Sequence, residues 1–446
     1  MVLDIVDQWL REHSITEVEC IVPDMTGNAR GKFIPADKFI KEDSRLPQAI
    51  LVTTVTGDCT DEESELIGPT DSDMMLEPDP ATMRLVPWAE EPTGQIIHDC
   101  YLREGGLHPL ATRNVLRKVL ELYEAEGWQP IVAPEVEFYL VQKNPDPDLE
   151  LVPPIGRSGR REAGRQSYSI DAVNEFENII EAMYDYCEAQ QLDVDTLIHE
   201  SGLAQMEVNF LHGDALDLAD QVFVFKRTMR ETALRHGVFA TFMAKPMEGE
   251  PGSALHIHQS ITDRKTGRNV FSNDDGSEHE RFRHFIGGLQ AYTPGAIAFF
   301  APSVNSYRRL SPDFAAPTNM HWGYENRTTG IRVPDSGPDA RRVENRFPGA
   351  DSNPYLAIAV SLACGYLGMK KKIDPQQPHT GDAYQEPFTV ARSLQEALRL
   401  LDELDDLKEV LDPRFVRAYK AVKSHEFEAF NKVISSWERE YLLLNV

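Results

Sequence analysis

A chain of 446 residues, 41% hydrophobic and 26% charged, has the composition of an ordinary folded protein and is long enough for two domains. Its formal net charge of -27 opposes binding to a phosphate backbone, and no apolar run is long enough to cross a bilayer. The five cysteines, Cys20, Cys59, Cys100, Cys187 and Cys364, are odd in number, widely spread and form no CxxC pair, which argues against a disulfide framework and a structural zinc site. Reduced thiols, no membrane role and no nucleic-acid partner are expected.

In chain order, the opening MVLDIVDQWLREHS places Asp4 and Asp7 where a secretory signal needs positive charge, so it reads as an amphipathic helix and a cytoplasmic location is expected. GNARGK at 27–32 imitates a phosphate-binding loop. It has one residue too few between the glycines and Phe33 where Ser or Thr would hold magnesium, so it reads as a turn between strands. A break at Glu104-Gly105-Gly106 divides a small domain, 1–104, from a large one, 105–446. Past it, Thr112 is placed to cap a helix carrying Val115, Leu116, Val119, Leu120 and Tyr123 on one face and ending at Gly127. Helices are also predicted for 171–191 and 216–235 and for stretches starting at Ser393 and Pro413. Short alternating segments lie between them, so the fold class is α+β with a mainly antiparallel sheet. Residues 156–165 form a basic loop, with Arg157, Arg160, Arg161 and Arg165, suited equally to binding phosphate or to facing water.

Four of the alternating segments carry unusual polar faces. In IVAPEVEFYL (131–140) the period of two puts Glu135 and Glu137 together, opposite Val132, Val136, Phe138 and Leu140. In LAQMEVNF (203–210) it groups Gln205, Glu207 and Asn209, with Glu200 just upstream in HES. SALHIHQS (253–260) presents His256 and His258, and RRVENRF (341–347) presents Arg342, Glu344 and Arg346. Any one of these suits a half-buried strand with a wetted face. Together they offer glutamates, histidines and arginines without a lysine. If the faces converge, the carboxylates repel unless cations neutralise them, and an oxygen-rich set with an occasional imidazole suits Mg²⁺ or Mn²⁺. The flanking arginines suit phosphate or carboxylate.

The ordered series EVEFYL, HESGLAQMEVNF, TFMAKP, GSALHIHQS, NSYRRL, NRTTGIRVP and RRVENRFPGADSNPYL resembles the successive signatures of glutamine synthetases over nearly the whole chain. The resemblance implies a small N-terminal β-grasp domain, a catalytic domain on a curved antiparallel sheet, and a homo-oligomer of stacked rings, a dodecamer, with active sites between subunits. Residue by residue, it implies one metal on Glu137, Glu200 and Glu207 and a second on Glu135, His256 and Glu344. It assigns His258, Ser260, Arg327, Arg332 and Arg342 to ATP, and Gly252, Arg309 and Arg346 to L-glutamate. Arg309 and Arg327 are the catalytic pair it implies. The implied reaction phosphorylates the γ-carboxylate of glutamate, and an amine then displaces phosphate.

Three departures concern the amine. Ammonia-using members carry a glutamate in a PGYEAP-like stretch, and here SPDFAAP has Ala315 at that place. Their DGSS-like motif is replaced by TTVTGDC, where Asp58 is a poor substitute, and Pro251 stands where asparagine usually precedes the glycine. Losing carboxylates around a small cation makes room for a larger amine. In these changes, and in FMAKP and WGYENRT, the chain resembles the γ-glutamylpolyamine and γ-glutamylputrescine synthetase branch, with a polyamine or alkyl monoamine as co-substrate. Glu325 is a candidate to attract the amine or to form an exposed ion pair. The rival readings are an ammonia-dependent glutamine synthetase and an inactive relative kept for structure or regulation.

Overall fold

Two sheets organise the chain, and each builds a polar face by simple alternation. The structure is a computed structural model that describes residues 2–60, 62–312 and 315–446. The first sheet is six-stranded and runs in the order Ala29–Pro35, Glu17–Pro23, Thr93–Tyr101, Asp73–Pro78, Ser44–Pro47, with Arg84–Leu85 also on Thr93–Tyr101. Glu17–Pro23 lies parallel to Thr93–Tyr101, and the other pairings are antiparallel. Of the GNARGK stretch, expected to be a turn between strands, only Gly27 and Asn28 lie in the turn, and residues 29–32 already belong to the strand Ala29–Pro35 that pairs with Glu17–Pro23. The opening helix, Val2–Glu12, buries Val6 and Leu10.

The second sheet has nine strands in the order Trp322–Tyr324, Ile331–Val333, Val343–Asn345, Leu255–Asp263, Trp128–Gln142, Gln205–Phe210, Val194–His199. Gly213–Asp214 and Val238–Thr241 also pair with Trp128–Gln142. Among the described residues its one parallel pairing joins Trp322–Tyr324 to Ile331–Val333. The apolar faces of its central strands are fully buried, with Val136, Phe138, Met206, Val208 and Ile257 at 0% exposure. With helices around both sheets the fold class is α+β, as expected.

Behind the second sheet pack Glu280–Phe300 and Pro354–Lys371, two helices absent from the sequence reading. They cross where a Cβ added to Gly288 would lie 2.2 Å from the Cys364 carbonyl oxygen and one added to Gly368 would lie 2.5 Å from the Gly288 Cα. Only glycine permits so close an approach.

Three helix expectations shift for identifiable reasons. The helix Thr112–Ala125 starts on Thr112 instead of being capped by it, because the hydroxyl donates to the Pro23 carbonyl at 3.4 Å. The predicted 171–191 helix is two, Ile170–Asn174 and Glu177–Ala189. The Glu175 carbonyl is taken by the Arg157 amide at 2.9 Å, and the Ile179 amide turns to Phe176. Ala215–Arg235, capped by Asp214, and Leu394–Leu401 and Pro413–Asn431 lie where expected.

A buried ion cluster ties the two sheets' surroundings together. Arg113, 2% exposed, reaches Asp220 in Ala215–Arg235, Asp99 in Thr93–Tyr101 and Asp79 beside the first sheet. Arg117 pairs with the same Asp79 and Asp99, both at 2.9 Å. Tyr355 donates to Asp220 at 2.7 Å.

Candidate active site

The four polar strand faces converge because their strands are neighbours in one sheet. Glu344 stands opposite His258, His256 opposite Glu135, Glu135 opposite Asn209, and Glu137 opposite Glu207. Arg332 lies opposite Glu344 on the next strand. Arg342 and Arg346 fall just outside Val343–Asn345, one at each end.

The carboxylates form clusters tight enough to share ions. Ligand atoms lie within 4.8 Å of one another in the sets Glu137, Glu200, Glu207; Glu135, Glu207, His256; and Glu135, His258, Glu344. The first is the expected trio. Of the second expected trio, His256 Nδ1 lies 3.3 Å from Glu135 and 3.7 Å from Glu344. His258, expected on the nucleotide, also reaches Glu135, its Nε2 at 2.9 Å. Its Nδ1 accepts from Arg342 Nε at 3.3 Å.

Electrostatics says what this crowding costs. Burial and the neighbouring Glu200 push Glu137 up to about 8, although the Ala254 amide donates to it at 2.8 Å. Burial, Glu135 and Glu137 push Glu207 well above the carboxylate range. Burial also acts on Glu135, but hydrogen bonds from His256 and His258 outweigh it and hold that group below its ordinary value. Burial acts on Glu344 too, yet Arg346 and the histidines bring it to about 2. Glu344 is braced on both oxygens, by Arg332 at 2.7 Å and Arg346 at 2.5 Å. Carboxylates arranged like Glu137 and Glu207 hold protons unless cations replace them. The donor set, mostly carboxylate oxygen with imidazole at one side, therefore fits Mg²⁺ or Mn²⁺.

Two cavities adjoin over this sheet. One, of about 560 Å³, is lined by the metal-type carboxylates with Gly252, Arg309 and Arg346. The other, of about 580 Å³, is lined by His258, Ser260, Arg332 and Arg342. Glu135, Asn209 and Arg327 line both. Arg309 is pinned by bonds to the Phe347 carbonyl at 2.8 Å and the Arg346 carbonyl at 3.0 Å. Gly252 admits no side chain, since a Cβ there would meet the Ala244 oxygen at 2.5 Å and Arg309 Cγ at 2.6 Å.

The departures also have places. Ala315 lines the carboxylate cavity, with Pro251 nearby, whereas residues 313 and 314 of SPDFAAP lie outside the described residues. Asp58 lines neither cavity and accepts instead from Thr56 at 2.7 Å. Glu325 lines neither and takes the ion-pair role, 3.1 Å from Arg332. Arg165, read in the sequence only as part of the basic loop, lines this cavity, and Tyr168, Ile198 and Ser201 beside it were missed because each comes from a loop or strand end without periodicity. Asn209 was seen on its strand face but not as a wall common to both cavities.

This geometry meets a clear likeness. Residues 109–442 match the profile described as glutamine synthetase, catalytic domain. The chain belongs to the glutamine synthetase family. It is 32% identical to the gamma-glutamylputrescine synthetase PuuA of Escherichia coli (strain K12), covering 99% of this chain and 94% of that one. It is equally 32% identical to a glutamate–isopropylamine ligase of a Pseudomonas species, over 97% of this chain and 96% of the other. A glutamine synthetase of Pyrococcus furiosus is also 32% identical, over 97% and 94%. A solved structure of GmaS without ligand superposes with a TM-score of 0.85 at 27% identity, over 98% of this chain and 99% of that one. Relatives named for gamma-glutamylputrescine, for glutamate and isopropylamine, and for glutamine thus stand at the same identity, so likeness alone does not choose the amine. Among the described residues no helix is long and apolar enough to cross a membrane.

Proposed function

We propose that this chain is an ATP-dependent ligase that joins the γ-carboxylate of L-glutamate to a primary amine larger than ammonia, a polyamine or alkyl monoamine, through a γ-glutamyl phosphate. The observation that carries the reading is the wall between the two cavities, formed by Glu135, Asn209 and Arg327. A nucleotide on His258, Ser260, Arg332 and Arg342 would lie on one side of it, and glutamate on Gly252, Arg309 and Arg346 on the other.

Glu137, Glu200 and Glu207 would hold one divalent ion, and Glu135, His256 and Glu344 another, with His258 in reach of the second. Bound Mg²⁺ or Mn²⁺ supplies positive charge against the transferring phosphate. The chain's own part is positioning and charge. Arg346 and the pinned Arg309 orient the glutamate carboxylates, and Gly252 leaves room for them. A γ-carboxylate oxygen attacks the terminal phosphorus and ADP departs, with Arg327 facing both cavities to offset charge on the moving group. The amine nitrogen then attacks the acyl carbon, the bond to phosphate breaks, and the ammonium proton leaves to give the amide.

Ala315 supports the larger amine. An apolar methyl stands where ammonia-using members place a carboxylate, so a bare ammonium ion loses its partner and an alkyl chain gains space. The test is phosphate release with glutamate, ATP and a panel of ammonia, putrescine, spermidine, spermine, ethanolamine and small monoamines. At least one amine should exceed ammonia in kcat/KM, and ammonia outrunning every amine would overturn the reading.

The same reading includes a two-domain chain, an N-terminal β-grasp unit at 1–104 and a catalytic unit at 105–446, acting in the cytoplasm as a homo-oligomer of stacked rings, a dodecamer. Support for assembly comes from the C-terminal segment, where Trp437, Tyr441, Leu443 and Leu444 are all exposed, Leu444 at 90%.

A further inference from the structure

The basic loop finds no use in the ligase reading, yet one of its acids is buried beside the site. Residues 143–169 run without regular helix or strand from Trp128–Gln142 to Ile170–Asn174. Two of the loop's arginines point away from the cavities. Arg157 pairs with Glu177, and Arg161 donates to the Pro153 carbonyl at 3.1 Å and to Gln142. Glu162 goes the other way, its side chain only 7% exposed.

One oxygen of Glu162 receives two bonds, from His199 Nε2 at 3.2 Å and from the Ala204 amide at 2.5 Å. Its other oxygen, Oε1, is buried with no partner. His199 in turn donates through Nδ1 to the Glu200 carbonyl at 2.8 Å. Ala204 has a φ of +56°, a left-handed conformation that an alanine holds only when its surroundings impose it. The same loop continues onto the site, with Arg165 bonded to the Gly249 carbonyl at 2.9 Å, Ser167 to Ser201 at 3.1 Å and the Tyr168 amide to the His199 carbonyl at 2.8 Å. Arg165, Tyr168, Glu200 and Ser201 all line the carboxylate cavity. A turn needing stability alone would not keep a buried carboxylate with an idle oxygen, because an unpaired buried acceptor weakens the fold.

We propose that Glu162 is a positioning residue that fixes, through His199 and the Ala204 amide, the turn carrying Glu200, and that seats the Arg165–Tyr168 segment on the rim where the amine enters. One carboxylate thus couples a metal ligand to the amine mouth. The inference rests on reading Glu200 as a metal ligand. Groups that act on a metal through its ligand typically change affinity by about 10–100-fold when removed.

The experiment titrates Mn²⁺ into the full-length protein, following the free-ion electron paramagnetic resonance signal, for wild type, Glu162→Gln, Glu162→Asp and Glu200→Gln. Glu162→Gln should weaken one Mn²⁺ site about tenfold and leave the other unchanged. Steady-state kinetics should show a lower kcat and a higher KM for the amine with an unchanged KM for ATP. Glu162→Asp, which keeps the charge but shortens the reach, should fall between, and it carries the test if Glu162→Gln does not fold. Wild-type Mn²⁺ binding in both Glu162 variants would overturn the proposal. So would equal weakening at both sites with a lowered unfolding transition, the mark of general loosening. Glu200→Gln should abolish one site. If it does and the Glu162 variants bind normally, only the positioning role fails. If it binds like wild type, the ligand reading fails and the positioning role with it.

Discussion

Metal binding should release protons, and the amount follows from one buried carboxylate. Glu137, opposite Glu207 and beside Glu200, is pushed up to about 8 from an ordinary value of 4.5 by burial and by Glu200. At pH 7 a group of that pKa is protonated in about nine molecules of ten, so an ion that takes its place displaces close to one proton. Each pH unit below 8 should then cost about tenfold in affinity, or about 1.4 kcal/mol, from this group alone. Glu207, raised in the same way, adds to the slope. The sign for folding is opposite in the ion-free protein. A carboxylate raised on folding stabilises the fold in its protonated form, fully below its unfolded value of 4.5, and that stabilisation is lost as pH rises through about 8. The chelated protein should therefore lose thermal stability between pH 6 and pH 8, and saturating Mn²⁺ should abolish the loss. Calorimetric Mn²⁺ titrations at pH 7 in two buffers of different ionisation enthalpy give the proton count directly. A count of zero, with affinity flat from pH 6 to pH 8, would refute this account of the cluster.

Other consequences of the geometry can be checked separately. Arg113→Met should destabilise the fold by about 3–5 kcal/mol in urea unfolding, because it leaves Asp220, 3% exposed, without its cation; a loss under about 1 kcal/mol would show that the cluster contributes little. Gly252→Ala should raise the KM for glutamate more than that for ATP, since the new Cβ meets Arg309 Cγ at 2.6 Å, and the overpacking should cost about 1–3 kcal/mol in the same unfolding assay. Ala315→Glu should shift the kcat/KM ratio towards ammonia by about tenfold or more, and an unchanged ratio in the amine panel would separate specificity from this position.

The carboxylate half of the site was legible because a strand advertises its faces. With a period of two, Glu135 with Glu137 and His256 with His258 could only point together, and antiparallel pairing of neighbouring strands then brought the pairs within reach. The convergence itself needed the sheet order, which alternation does not encode. The helices Glu280–Phe300 and Pro354–Lys371 escaped for the opposite reason. In Glu280–Phe300 the thin wet stripe of Glu280, Arg283 and Ala291 is masked by Gly287, Gly288 and Pro294, which read as helix breakers, and in Pro354–Lys371 residues such as Leu356, Val360, Leu362 and Ala363 belong to a helix buried nearly all round. A helix without a wet face has no period of 3.6 to detect. The break at Glu175 escaped too, because it is set by the Arg157 amide, far away along the chain.

The proposed amine half is harder to read because it would be specified by loops and by what is missing. Ala315 is informative only against a pattern in which a carboxylate is expected, and a lone alanine carries no chemistry that its own neighbourhood in the sequence announces. The rim shows the same difficulty from the other direction. Arg165 and Tyr168 reach the cavity because Glu162, a loop acid among arginines, is drawn into the turn at His199 and Ala204. In the sequence that acid looks like one more charge in a solvated loop. Its burial, the left-handed Ala204 that it holds and its unpartnered oxygen belong to the fold alone. Glu135, Glu137, Glu207, His256, His258 and Glu344 are thus written on the strands, whereas Glu200, Arg327 and Arg342 lie just outside them. The loop segments that line the carboxylate cavity take their geometry from distant partners, and there the structure adds most.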